Sequence, residues 1–194
     1  MDRRTTIYLV RHAESAPSAD VPEPAWPLSA RGLDQATALV PAMRGLDLRA
    51  IYSSPFPRAL QTVAPLAAAL AVDVSVIDDL RERALGRVPP GADIGSIVRR
   101  YWADPGFGLP GGESNTTCAR RVVQAIAQLA TRHSGQSIAV ASHGNALALY
   151  LGTIDPAFGF EQWRAMRNPD LFRVVYDNEQ ATWDGTRLPT AIES

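Results

Sequence analysis

The stretch Thr6-Ile7-Tyr8-Leu9-Val10-Arg11-His12 decides the fold, because a short apolar run passes without alternation straight into a cation and an imidazole. A run this short and this continuous reads as a strand buried on both faces, as in a parallel sheet with helices on either side. Three further runs share the pattern, at 50–53, 72–77 and 137–141, each rich in Val, Ile or Tyr. Helical segments lie between them. Ser29 is an N-cap for a helix through Met43, with Gly45 just past its end. Ser54-Pro55 offers a cap and a first-turn proline for a segment reaching about Leu70. Pro41 and Pro65 fall late in these two segments and are expected to kink or end them. Ser114 caps a longer helix to Arg132, with Cys118, Val122, Ala125, Ile126 and Leu129 on one stripe.

Strand alternating with helix predicts a three-layer α/β/α sandwich around a mostly parallel sheet. The tail departs from the alternation. Residues 171–176, a turn at Asp177-Asn178 and residues 180–183 predict an antiparallel hairpin on the sheet edge. Residues 83–112 are rich in glycine and proline and show little periodicity beyond a short helix at 94–102. They read as an excursion that covers a site. The length, 194 residues, predicts a single domain over 1–194.

Composition narrows the chemistry. Charges nearly cancel at −1, so nothing global draws the chain to nucleic acid or to an anionic membrane. All 19 basic residues are arginine, which removes a P-loop lysine, a Schiff-base lysine and a Ser–Lys dyad together. A single cysteine rules out an internal disulfide and a multi-cysteine zinc site. No apolar run approaches the roughly 20 residues of a membrane helix. Met1-Asp2-Arg3-Arg4-Thr5-Thr6 leads directly into the first strand without room for a signal peptide, so a soluble cytoplasmic protein is expected.

Three strands end in reactive side chains. Arg11 and His12 follow the first; Ser53, Ser54 and then Arg58 follow the second; His143 and Gly144 follow the fourth. Ligands of open α/β sheets bind beyond the carboxyl ends of the strands. Two arginines and two histidines are thereby placed on one rim. Any one of them alone reads as a solvated loop residue, but three coincidences on one rim, using two of only three histidines, reverse that reading. The set suits a phosphoryl group, since the guanidinium fork matches its oxygens and a helix first turn adds free N–H groups. Flanking arginines push a histidine towards its neutral, nucleophilic form.

In sequence order, Leu9-Val10-Arg11-His12-Ala13-Glu14-Ser15, Leu28-Ser29-Ala30-Arg31-Gly32, Tyr52-Ser53-Ser54-Pro55-Phe56-Pro57-Arg58-Ala59-Leu60-Gln61-Thr62, Leu80-Arg81-Glu82, Gly112-Glu113-Ser114 and Ala141-Ser142-His143-Gly144 resemble the histidine phosphatase superfamily, with its phosphoglycerate-mutase-like fold. The resemblance implies that His12 is a nucleophile forming a phosphohistidine and that Arg11, Arg58 and His143 bind the phosphate. It also implies that Glu82 is the general acid, with Asp78 and Asp79 as neighbouring alternatives. No metal or other cofactor is implied. Two positions depart from the pattern: Ala13 replaces the usual glycine, and Ser18 stands where many members carry an asparagine that reaches the phosphate.

The expected activity is phosphomonoester hydrolysis on a small phosphorylated substrate, by a monomer or homodimer. A phosphoglycerate-type phosphomutase is the enzymatic alternative, and a phosphate-binding regulator without turnover the other. Only about 30 residues separate Glu82 from Glu113, short for the insertion that mutases resembling this family carry, which favours the hydrolase. Arg81, Arg83, Arg87, Arg99 and Arg100 in or beside the excursion fit either a second anionic group on the substrate or a solvated face. Other signals are declined. Gly106-x-Gly108-x-x-Gly111 lacks the strand a dinucleotide fingerprint requires. Cys118 reads as core, His133 as a helix-end cap, and Glu113-Ser114 as the start of a helix. Trp26, Trp102 and Trp163 fit either a wall of the pocket or core packing, with packing the commoner role for each.

Overall fold

The computed structural model describes residues 4–177 and 180–190. Residues 1–3 and the tip of the predicted tail turn, Asn178 and Glu179, lie outside the described residues. Six strands form one sheet: β1 (Thr5–Arg11), β2 (Leu48–Ser53), β3 (Val74–Val76), β4 (Ser137–Ser142), β5 (Asp170–Asp177) and β6 (Gln180–Thr182). Their spatial order is β3-β2-β4-β1-β5-β6. The first four run parallel, whereas β5 lies antiparallel to β1 and β6 antiparallel to β5 at the edge. The expected architecture, parallel sheet and antiparallel edge hairpin included, is the one observed.

Side-chain alternation along β1 explains the three layers. Ile7 and Leu9 face one side, among Cys118, Val122, Ile126 and Leu147 of α4 (Asn115–Arg132) and α5 (Gly144–Ile154). Tyr8 and Val10 face the other, among Leu39, Met43, Val63 and Leu66 of α1 (Ala30–Met43) and α2 (Pro57–Leu70). Each buried aliphatic side chain contributes about 1.5–3 kcal/mol, so both faces are needed to hold so short a strand in place.

The helix boundaries follow local chemistry. Ser29 Oγ accepts the Gly32 N–H at 2.9 Å and starts α1, and Ser114 Oγ accepts from Thr117 N at 3.2 Å to start α4. Gly32 is required by its neighbour, because a Cβ there would lie 2.0 Å from the Glu14 carbonyl oxygen. The expected cap of α2 is corrected. Ser54 is fully buried with its hydroxyl on His143, so the helix begins later, with Phe56 as N-cap and Pro57 in the first-turn position. Neither proline ends its helix: Pro41 and Pro65 both lie inside continuous α1 and α2. The third strand is shorter than expected, since Ala71 turns left-handed (φ 53°) to close α2 and Val72 N–H returns to the Ala67 carbonyl.

Within 83–112 the only regular element among the described residues is α3 (Ile94–Ala103), capped by Asp93 on Gly95 and Ser96. A last short helix, α6 (Phe160–Arg164), follows α5. No helix among the described residues is long and apolar enough to cross a membrane.

Candidate active site

The rim forms where β1, β2 and β4 end side by side. Arg11 pairs in register with Ser142, and the His12 N–H donates to the Ser142 carbonyl at 3.1 Å. The His12 and His143 rings lie 5.2 Å apart, centroid to centroid. Phe56 packs its ring 5.0 Å from His143 and 5.0 Å from the Arg58 guanidinium, tying the first turn of α2 to both. Gly144 lets the Arg11 guanidinium pack closely on the start of α5, since a Cβ there would press on Arg11 Nη2 at 3.2 Å. Arg11, His12, Arg58 and His143 are therefore brought together as expected.

Hydrogen bonding assigns the proton on His12. Nδ1 lies 2.7 Å from the Ala13 carbonyl, which only accepts, so Nδ1 carries the hydrogen and Nε2 keeps its lone pair. Burial, reinforced by Arg58 and Arg11, lowers the His12 pKa to about 3, so the ring is neutral across the physiological range. Fully buried His143 is likewise pushed well below its ordinary value, by burial first and by His12 and Arg58 after it. Ser54 Oγ accepts from the Phe56 N–H at 3.2 Å and lies 2.7 Å from His143 Nε2. The other His143 ring nitrogen, Nδ1, is buried with no partner among the described residues, as is Arg11 Nε. Uncompensated buried polar groups are costly, and two at one rim mark a place where a ligand could supply the missing partners.

The arginines are held differently. Arg11 donates from Nη1 to the Met166 carbonyl at 2.7 Å. Arg58, 2% exposed, is engaged by Glu23, whose carbonyl and carboxylate both accept from its fork. Glu23 reaches in from the loop after β1, and burial raises its pKa against the pull of Arg58. Ser18 is half-buried, and its hydroxyl donates to the Asp20 carboxylate at 3.4 Å.

Glu82 lies on the same rim, close enough for its charge to act on Arg11 and Glu23. Its carboxylate accepts from Arg83 N at 2.8 Å, Asn145 N at 3.1 Å and Ala146 N at 3.0 Å, seating it on the first turn of α5. Asp78 and Asp79 instead pair with Arg81 on the surface. Behind the Glu82 loop, Arg121 binds Glu113 through two bonds of 2.7 and 2.6 Å and donates to the carbonyls of Asp79, Arg81 and Glu82.

Sequence reasoning missed Glu23, Arg121, Asn145 and Asn168, whose side chain donates to the His12 carbonyl at 2.8 Å. Of these, Arg121 alone left a trace: it is three residues after Cys118 and four before Ala125, on the buried stripe of α4. Cys118 is core, its thiol pushed up to about 12 by burial. His133 ends α4 and bonds Tyr52. Residues 106–111 form a loop. Among the excursion arginines, Arg83 is buried over the Tyr101 ring at 3.8 Å and Arg100 covers Phe107 at 3.9 Å. No group of three or more His, Cys, Asp or Glu side chains among the described residues is placed to hold a metal.

This architecture, with paired histidines and arginines at the carboxyl ends of a doubly covered sheet, is that of a phosphoryl-handling α/β protein. The chain belongs to the histidine phosphatase superfamily (branch 1), whose family model matches residues 7–187. It is 30% identical to the probable phosphoglycerate mutase GpmB of Salmonella choleraesuis, over 95% of this chain and 91% of that one. An uncharacterised protein of Mycobacterium tuberculosis is 31% identical over 100% of this chain and 98% of its own length. The fold is shared with a mycobacterial glucosyl-3-phosphoglycerate phosphatase, with a TM-score of 0.76, 20% identity, and coverage of 94% and 98%.

Proposed function

We propose that the chain hydrolyses phosphomonoesters through a phosphohistidine on His12. The observation that carries this reading is the protonation of His12: a buried neutral ring with Nδ1 committed to Ala13 and a lone pair left on Nε2, beside two arginines and His143. Nε2 attacks phosphorus, the P–N bond forms, and the P–O ester bond breaks. A protonated Glu82 gives its proton to the leaving oxygen, and the three backbone N–H groups around its carboxyl stabilise the charge left behind. Water then attacks phosphorus, Glu82 takes the water's proton, the P–N bond breaks and inorganic phosphate leaves. Dividing the displacement at His12 replaces one hard step with two easier ones. Arg11, Arg58 and His143 hold the equatorial oxygens. For Arg58 to do so, the incoming phosphate displaces the Glu23 carboxylate.

Turnover of para-nitrophenyl phosphate by the wild type and by His12→Ala tests the mechanism: equal rates in the two would sink it. Rapid quench with labelled substrate should trap an acid-labile, base-stable phosphoprotein that His12→Ala lacks. The similarity to a named probable mutase supports a second reading, that the phosphoenzyme returns its phosphate to a phosphoglycerate. Supplied with 3-phosphoglycerate, a hydrolase releases phosphate and a mutase forms 2-phosphoglycerate.

A further inference from the structure

Beside Arg11 the rim opens into a second cavity of about 450 Å³, lined by Arg11 and Met166 together with Val98 and Arg99 of α3 and Phe160 and Trp163 of α6. Phe160 and Trp163 stack with centroids 5.7 Å apart and planes 27° apart, and Trp102 packs against both. The volume falls in the range of small-molecule pockets, about 300–1,000 Å³. Two features join the cavity to the phosphate site. Arg11 walls it and is bonded to the Met166 carbonyl, and Asn168, two residues on from Met166, holds the His12 carbonyl. The cavity's other cations already have carboxylate neighbours, Arg99 with Asp93 at 3.6 Å and Arg164 with Glu161 at 3.3 Å. Beside them stands a flat, half-buried aromatic wall, with the Arg164 guanidinium 5.6 Å from the Phe160 ring centroid, next to Arg11, the guanidinium shared with the phosphate site.

We propose that this cavity receives the leaving group of the substrate, and that the leaving group is an uncharged, flat ring system attached to the phosphorylated oxygen. Stacked side chains accept a planar face through dispersion and water release, and they offer a flexible polyol little to match its hydroxyls. Arg99 and Arg164 each face a carboxylate in an exposed pair, so a second anion on the substrate would have to compete with Asp93 and Glu161 for them. The inference rests on the phosphomonoesterase reading for its chemistry, whereas the cavity can be probed without turnover.

Isothermal titration with two non-hydrolysable phosphonates, 2-naphthylmethylphosphonate and ethylphosphonate, separates the two claims. The wild type should bind the naphthyl compound at least about tenfold more tightly, and Trp163→Ala should shrink the preference to within about threefold. Val98→Trp, which fills the cavity and leaves the stacked rings in place, should shrink it equally and guards against a Trp163→Ala protein that fails to fold. Equal affinities in the wild type, or a preference that survives both substitutions, overturns the proposal. Hydrolysis of 2-naphthylmethyl phosphate and ethyl phosphate, whose alcohols are similarly poor leaving groups, forms the second arm. A phosphonate preference without hydrolysis of either ester would sink the hydrolase reading and leave the cavity assignment standing. Hydrolysis of both at the same kcat/KM, with no phosphonate preference, would do the reverse.

Discussion

Arg58 and Arg121 are both nearly inaccessible, at 2% and 8% exposed, yet their surroundings differ in kind. Arg121 is saturated: a bidentate buried carboxylate and three backbone carbonyls take up its fork, and none of these partners can leave without unfolding the loop. Arg58 is engaged by Glu23, a half-exposed side chain on the loop after β1, and its neighbours Arg11 and His143 keep buried nitrogens unpartnered. A buried cation that holds structure is filled from every side. One that awaits a ligand is left with a partner that can be exchanged.

Breaking the unsaturated region should cost activity before stability. His12→Ala is expected to lower kcat on para-nitrophenyl phosphate by about 10⁴-fold or more, the scale of losing a nucleophile. Arg121→Met should do the opposite, destabilising the fold by about 3–5 kcal/mol in urea unfolding because Glu113 stays buried without its cation. Arg58→Met, by contrast, should leave the unfolding midpoint close to wild type while kcat/KM falls by about 10²–10³-fold. Similar unfolding midpoints for the two arginine variants would erase the distinction.

The pH dependence of stability sharpens it further. A folded pKa lowered from 6.5 to about 3 means that the unfolded chain binds the extra proton between those values, so His12 stability is intact above pH 6.5 and is lost as pH falls through the window. His143 shifts in the same direction. In phosphate-free buffer His12 should remove about 1.4 kcal/mol of unfolding free energy per pH unit below 6.5, with His143 acting in the same sense. His12→Asn should flatten the slope by about that amount, and an unchanged slope would refute the buried-neutral assignment. The smallest effect belongs to Glu23→Gln. Removing the exchangeable anion should tighten inorganic phosphate binding by about two- to fivefold at neutral pH, the worth of a partly exposed ion pair. As pH falls and Glu23 in the wild type takes up a proton, the gap between the two proteins should close.

The strands and the rim were legible because their signals are local: a buried run followed at once by Arg11-His12 or His143-Gly144 carries position and chemistry in adjacent letters. Glu82 was legible only through the family pattern, since a carboxylate after a 3₁₀ turn has no periodicity to mark it. Ser54 was misplaced because the rule for caps is local, whereas its hydroxyl is claimed by His143 from 89 residues away. Glu23 and Asn168 had no local signal at all, for Glu23 acts from a single 3₁₀ turn and Asn168 from an irregular loop, each on a group far along the chain. The α5 helix was not marked either, as it is apolar on every side and lacks the amphipathic stripe by which helices are read.

One arrangement has a practical consequence for redesign. His143 is the residue from which α5 starts, and Glu82 rests on the Asn145 and Ala146 amides in the first turn of that same helix. Under the proposed mechanism, phosphate anchor and proton donor share a single rigid handle, and any shift of the handle moves both by the same amount. On that reading, adjusting the donor alone to suit a new alcohol is mechanically blocked. Variation has to enter through the opposite wall, on α3 and α6, where side chains can be exchanged without disturbing the distance between the two reacting ends.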